Sequence, residues 1–198
     1  MFSLVFPGQG SQAVGMAKEF YQNFDLVKKL FQEADDILGL KLSDIILNGP
    51  KENLDMTENT QPAIFLVGYS IFQVATREFN LNLKDASFAA GHSLGEYTAL
   101  SCFGSLNFRD CLKVLKIRGR SMQNAVPIGE GGMIAVIGIQ IEDLKEIFLK
   151  NRNNFECFIA NDNTIGQVVV SGKTNDLEKL INILKESKIK NIKLPVSA

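Results

Sequence analysis

Hydrophobic and polar residues are arranged in two ways along the first part of the chain, and each arrangement predicts a different element. Short apolar runs that end at proline or glycine predict β-strands at Phe2–Phe6 and Ser87–Ala90. Elsewhere hydrophobic residues recur at helical spacing over Phe24–Leu38, Ala63–Glu78 and Phe108–Asn124. Two parallel strands cannot cover both faces and both edges of a sheet, so this part is incomplete by itself.

A second region follows the glycine-rich stretch Gly129–Gly132, where the character of the sequence changes. Its pattern predicts the order strand, helix, strand, strand, helix, strand, which is typical of the ferredoxin-like α+β fold. The predicted elements are Met133–Ile139, Ile141–Lys150, Phe155–Ala160, Gln167–Ser171, Asp176–Ser187 and Asn191–Val196. We therefore expect one domain at 1–127 and a second at 128–198.

The end of the chain interrupts a pattern. Leu194–Ala198 is neither a terminal helix nor a polar tail. Because the first domain also lacks strands, we interpret the chain as truncated, with the remainder of that domain beyond Ala198.

Composition narrows the class of protein. Of 198 residues, 45% are hydrophobic and 22% are charged, which is typical of a soluble globular protein with a sizeable core. The net charge of −1 argues against nucleic-acid binding, and no apolar run is long enough to span a membrane. The sequence shows no secretory signal, so we expect a cytoplasmic protein. We expect its three cysteines to be reduced, buried thiols. Because their spacing is not that of metal ligands, we expect no metal.

The chemistry-bearing motif is Gly91-His92-Ser93-Leu94-Gly95, which lies between the second strand and a helix-forming run. This context is that of a nucleophile elbow, where a sharp turn exposes a serine and both glycines avoid collisions across the turn. The alternative is a plain strand-to-helix turn with a capping serine. The loop Pro7–Gln12 after the first strand is rich in backbone donors, but no Gly-Lys-Ser/Thr follows, so nucleotide binding is weakly indicated.

Five ordered sequence blocks together indicate a family. They are Phe6–Gln12, Thr60–Ala63, Gly91–Glu96, Arg118–Gln123, and Asn161–Asn163 with Gly166–Gly172. From end to end the chain resembles the malonyl-CoA:acyl carrier protein transacylases and, more broadly, the acyltransferase domains of polyketide synthases. The resemblance implies the α/β class, with an α/β-hydrolase-like core, incomplete at its C-terminus, and a ferredoxin-like subdomain.

The resemblance also implies a reaction and its partners. A malonyl group passes from malonyl-CoA to a serine and then to the phosphopantetheine thiol of holo acyl carrier protein, the transfer that initiates fatty acid elongation. Coenzyme A enters as a thioester substrate, so no cofactor is expected, and the protein is expected to be a monomer. Malonyl is favoured over methylmalonyl by overall similarity alone.

Individual roles carry over by position. Ser93 matches the nucleophile, the backbone N–H groups of Gln9 and Leu94 match the oxyanion hole, and Arg118 matches the residue that binds the malonyl carboxylate. Met122 matches the pocket wall. The positions that resemble those of the pantetheine channel are Asn161, Asn163 and Gln167. For Arg118 the alternative is a solvated arginine on a basic helix face, and for Met122 it is a core methionine. For the two asparagines and the glutamine it is turn chemistry between two strands.

The general base is the missing part. The family uses a histidine that follows a segment resembling Leu194–Ala198, whereas the one histidine here, His92, precedes Ser93 and is assigned a packing role. We therefore expect the chain alone to be nearly inactive. Two other functions stay open, a serine hydrolase or thioesterase and a non-catalytic binder of carrier protein. The lysines expected to meet an acidic carrier protein are Lys185, Lys188, Lys190 and Lys193.

Overall fold

The computed structural model describes residues 1–127 and 129–194. The chain divides into two compact units, Met1–Met122 and a second that begins at Gln123. This division falls slightly earlier than the boundary expected after residue 127. The predicted strand Asn191–Val196 extends into residues outside the described part, so only residues 191–194 can be compared.

The first unit surrounds one long helix with shorter helices and a small parallel sheet. In chain order its elements are β1 (Phe2–Phe6), α1 (Lys18–Asn23), α2 (Asp25–Leu38), α3 (Leu42–Asn48), α4 (Lys51–Asp55), α5 (Thr57–Arg77), a 3₁₀ turn (Leu83–Asp85), β2 (Ala86–Gly91), α6 (Leu94–Cys102) and α7 (Phe108–Gln123). All five elements predicted from hydrophobic spacing are confirmed in type. The short helices α1, α3 and α4 were not predicted, because helices of one or two turns show too little periodicity.

The start of α5 corrects the sequence analysis. The helix begins at Thr57 rather than Ala63, and it continues through Pro62. Polar side chains in its first turn explain why, because Asn59 Nδ2 donates to the Asn53 carbonyl (2.9 Å) and Thr60 Oγ1 to the Leu54 carbonyl (2.5 Å). These hydrogen bonds connect the helix start to the preceding segment, whereas hydrophobic spacing detects only the apolar part of the helix that follows.

The parallel pair formed by β1 and β2 has one covered face. Leu4 and Phe6 pack towards the interior, whereas Val5 and Phe88 on the other face are each 75% exposed. Within residues 1–127 and 129–194, neither strand pairs with any further strand. In the described residues this sheet therefore has only the two predicted strands, and one of its faces is uncovered.

The second unit is a four-stranded antiparallel sheet with two helices. Its elements are β3 (Gly131–Ile137), α8 (Ile141–Lys150), β4 (Cys157–Thr164), β5 (Gln167–Lys173), α9 (Thr174–Glu186) and β6 (Lys190–Lys193). The strand order β4-β5-β3-β6 and the core that the sheet shares with both helices confirm the ferredoxin-like prediction. The strand predicted at Phe155–Ala160 is observed at Cys157–Thr164, and its second half pairs with β5 through two register shifts.

A buried carboxylate joins α2 to α3. Asp35 is 5% exposed, and its two oxygens accept hydrogen bonds from the Ser43 backbone N–H (2.8 Å) and hydroxyl (2.6 Å). We expect Asp35→Ala to lower the free energy of unfolding by about 2–3 kcal/mol, because it leaves the Ser43 donors unpaired. Urea denaturation measures this. The exposed neighbour variant Asp36→Ala should change stability by less than about 0.5 kcal/mol, and equal losses would contradict the assignment.

Candidate active site

The turn between β2 and α6 has the geometry of a nucleophile elbow. Ser93 has φ 54° and ψ −113°, a conformation that L-residues rarely adopt. A Cβ atom on Gly91 would lie 2.0 Å from the Gly95 carbonyl carbon, and one on Gly95 would lie 2.3 Å from the Phe6 carbonyl oxygen. Only glycine fits either position, as the sequence predicted.

The Ser93 side chain does not cap the helix that follows. Ser93 occupies the N-cap position of α6, yet its hydroxyl makes no capping hydrogen bond. Instead Oγ accepts a hydrogen bond from Arg118 Nη2 at 3.1 Å. The alternative of a capping serine is therefore wrong, and the exposed hydroxyl is available for chemistry. Leu94 begins α6, where backbone N–H groups lack helical partners.

The loop after β1 passes close to the elbow. The His92 backbone N–H donates to the Phe6 carbonyl (3.0 Å), and a Cβ on Gly8 would lie 2.6 Å from His92 Nδ1. The exposed ring of His92 thus packs on this loop. The side chain of Gln9 is directed to α5, where its Nε2 donates to Thr57 Oγ1 at 3.2 Å. The backbone N–H of Gln9 directly follows Gly8, the glycine that lies against His92.

Arg118 joins the elbow to α5. Its Nη1 donates to Gln61 Oε1 (2.7 Å), its Nη2 donates to Ser93 Oγ, and its Cζ lies 5.8 Å from the centre of the Tyr97 ring. The half-buried guanidinium is thus held from three sides, including a cation–π contact. The alternative of a solvated arginine on a basic helix face is wrong.

The cations on either side of Arg118 in α7 share a carboxylate partner, whereas none of the described residues gives Arg118 one. Lys116 and Arg120 both contact Glu58, at 3.3 and 3.4 Å. Among the residues with described coordinates, no carboxylate pairs with Arg118. Gly119 allows α7 to pack closely against the start of α5, because a Cβ at this position would lie 2.6 Å from the Thr57 carbonyl oxygen. Close contact between α7 and the start of α5 thus leaves one positive charge beside Ser93 without a counterion.

Gln61 is the site residue that the sequence analysis missed. It is 1% exposed, and while its oxygen accepts from Arg118, its Nε2 donates to Met122 Sδ at 3.1 Å. Met122 is 42% exposed, so the alternative of a core methionine is wrong. The only available signal was the block Thr60–Ala63, which contributed to the family resemblance without any assigned role.

The second unit contains the remaining predicted positions. Asn161 and Asn163 lie in β4 and Gln167 begins β5, on either side of the turn between these two strands. Asn163 Nδ2 donates to Gln167 Oε1 at 3.2 Å. The four lysines proposed to meet a carrier protein are all exposed, and Lys193 also contacts Glu178 at 3.5 Å.

Cysteine chemistry does not compete with Ser93. All three cysteines are free and buried, which confirms the sequence prediction. Burial raises the pKa of Cys102 and of Cys111 to about 12 and that of Cys157 to about 11. Each therefore stays a neutral thiol at physiological pH, and neutral thiols are poor nucleophiles.

The described residues contain neither a candidate metal site nor a candidate membrane-spanning helix. No cluster of three or more His, Cys, Asp or Glu side chains there could hold a metal ion. No helix in 1–127 or 129–194 is long and apolar enough to cross a membrane.

The exposed hydroxyl of Ser93 thus lies 3.1 Å from an arginine that has no carboxylate partner among the described residues. The family model of the acyl transferase domain matches residues 3–196. The chain belongs to this family. This acyl transferase domain is 40% identical over 197 residues to the malonyl CoA-acyl carrier protein transacylase of Bacillus subtilis strain 168, covering 98% of this chain and 61% of that protein. It is 39% identical over 186 residues to the corresponding protein of Haemophilus influenzae, covering 94% and 59%.

Solved structures agree with the fold. The acyl-carrier-protein-S-malonyltransferase of Bartonella henselae superposes with a TM-score of 0.92 at 42% identity, covering all of this chain and 64% of that one. A type II PKS acyl-carrier protein in complex with its malonyl-transacylase matches with a TM-score of 0.90 at 36% identity, again over this whole chain and 63% of that one. The acyl transferase domain described here thus spans about three-fifths of the length of its relatives.

Proposed function

We propose that this acyl transferase domain moves a malonyl group from malonyl-CoA to the phosphopantetheine thiol of an acyl carrier protein through an ester on Ser93. The observation that carries the proposal is the Arg118 guanidinium, 3.1 Å from Ser93 Oγ and without a carboxylate partner among the described residues. Relatives named malonyl CoA-acyl carrier protein transacylase support the substrate, and the relative solved with an acyl-carrier protein supports the acceptor.

The proposed reaction has two symmetrical halves. Ser93 Oγ attacks the thioester carbonyl, loses its proton to a base, and the C–S bond breaks as coenzyme A leaves as a thiol. The carrier-protein thiol then attacks the ester and restores the serine hydroxyl. In both halves the backbone N–H groups of Gln9 and Leu94 would donate to the oxyanion, since Leu94 follows Ser93 and Gln9 follows Gly8, which lies against His92.

Arg118 would select the acyl group. In a malonyl ester the free carboxylate lies two carbons from Ser93 Oγ, within the neighbourhood of the guanidinium that contacts Oγ. A guanidinium forms paired hydrogen bonds with a carboxylate. A neutral acyl group such as acetyl would leave this half-buried charge unpaired, which disfavours it.

The other predicted positions complete the proposal. Met122 would line the acyl pocket. Pantetheine would contact Asn161, Asn163 and Gln167, and an acidic carrier protein would contact the four exposed lysines of the second unit. Because the chain contains one histidine, which packs on the Gly8 loop, we propose that the 198-residue chain acylates slowly unless a base is added.

Intact mass after incubation with malonyl-CoA tests the proposal. We expect a malonyl adduct that forms faster when imidazole supplies a base, and no adduct on Ser93→Ala. The matched control is Ser105→Ala, at an exposed serine outside the elbow, which should acylate like the unmodified chain.

Three results would contradict the transferase assignment. An adduct that persists in Ser93→Ala would place the nucleophile elsewhere. Release of the acyl group faster by water than by added pantetheine would identify a hydrolase or thioesterase, whereas binding of carrier protein without any acylation would identify a non-catalytic binder.

A further inference from the structure

We infer that Gln61 is a positioning residue that holds Arg118 in place without neutralising it, and that the Met122 thioether sets the orientation of the Gln61 amide. The consequence for substrate selection rests on the proposed function. The arrangement itself rests only on the contacts of the first unit.

Burial makes the Gln61 contacts costly to lose. The side chain is 1% exposed, so its amide cannot exchange freely with water. Its oxygen lies 2.7 Å from Arg118 Nη1 and its nitrogen 3.1 Å from Met122 Sδ. Buried polar groups need partners, and here each end of the amide has one. The Arg118 guanidinium is therefore directed by a rigid neighbour on α5.

A neutral acceptor suits this position better than a charged one. Lys116 and Arg120, on either side of Arg118, are paired with the carboxylate of Glu58, but Arg118 meets an amide oxygen. The amide oxygen of Gln61 fixes the direction of one Arg118 N–H group but does not reduce the net positive charge of the guanidinium. A carboxylate in the same place would also fix the guanidinium but would compete with the carboxylate of a substrate.

Met122 distinguishes the two ends of the amide. A thioether sulfur accepts a hydrogen bond weakly and cannot donate one. It therefore favours the rotamer in which Nε2 faces Met122 and Oε1 faces Arg118. In the reversed rotamer the amide N–H groups would point at the arginine N–H groups, and two donors would face each other.

Arginine side-chain NMR on the 198-residue chain tests the positioning directly. In the unmodified chain, restricted rotation should give separate Arg118 Nη signals, assigned by their loss in Arg118→Ala. We expect Gln61→Ala to merge them and Gln61→Glu to keep them. The control Gln73→Glu, on the same helix, should leave them unchanged. A freely rotating Arg118 in the unmodified chain would overturn the inference.

Sodium malonate binding, followed by calorimetry, tests the consequence. We expect Gln61→Ala to weaken binding about tenfold and Gln61→Glu about 100-fold, the second because its charge competes for Arg118. Met122→Leu, which removes the acceptor at similar volume, should weaken binding by a factor of about three. In an Arg118→Ala background, Gln61→Ala should have no further effect, because Gln61 acts through Arg118.

The two readouts distinguish the inference from the proposed function. Separate Nη signals that depend on Gln61, together with no malonate binding, would support the positioning and contradict the malonyl specificity. Additive losses in the double variant would show that Gln61 only stabilises the fold, and this would overturn the inference even if malonate binds.

Discussion

Arg118→Ala is expected to lower the rate of Ser93 acylation by malonyl-CoA by about 10²–10⁴-fold, because it would remove the two charge-assisted hydrogen bonds that we propose between the guanidinium and the substrate carboxylate. Acylation by acetyl-CoA should change far less or increase, since a half-buried charge without a counterion no longer disfavours the neutral group. The measurement is the initial rate of adduct formation by intact mass with each thioester, at equal imidazole concentration.

The matched control for this prediction is Arg120→Ala. Arg120 is on the same helix but is exposed and paired with Glu58. It should leave the ratio of malonyl to acetyl rates within a factor of about three, since surface ion pairs contribute little. An unchanged ratio in Arg118→Ala would mean that another residue binds the carboxylate.

Gly95→Ala is expected to destabilise the first unit by at least about 4 kcal/mol or to prevent it from folding, because the new methyl group meets backbone rather than a movable side chain. The Cβ would lie 2.3 Å from the Phe6 carbonyl oxygen and 2.8 Å from that of Pro7. Relief would require β1 to separate from the elbow, and this would break the contacts that place the loop beside Ser93. Urea denaturation gives the change in free energy of unfolding.

Gly68→Ala is the control that separates the backbone collision at position 95 from the general effect of replacing glycine by alanine. Gly68 lies inside α5, where an added Cβ would meet only Thr98 Cγ2 at 3.3 Å. A small clash and the better helix propensity of alanine should nearly cancel, giving a change within about 1 kcal/mol. Equal destabilisation by the two variants would show that close packing at the elbow is not what requires glycine at position 95.

The sequence alone determined the elements whose signals are local. Glycines two residues before and after Ser93 predict a turn too tight for side chains, and the collisions at Gly91 and Gly95 confirm it. The order of strands and helices in the second region predicts the ferredoxin-like unit, because hydrophobic spacing depends only on neighbouring residues. For the same reason both strands of the first unit and the turn that carries Ser93 could be predicted.

Only the tertiary structure decided which polar side chains meet. Sequence spacing left Arg118 as either a solvated cation or a site residue, and the close contact of Gly119 with Thr57 directs it to Ser93. Gln61 had no local signal, because its role comes from partners 57 and 61 residues away along the chain. Contacts between distant segments depend on how helices pack, and hydrophobic periodicity indicates which face of a helix is buried but not what that face meets.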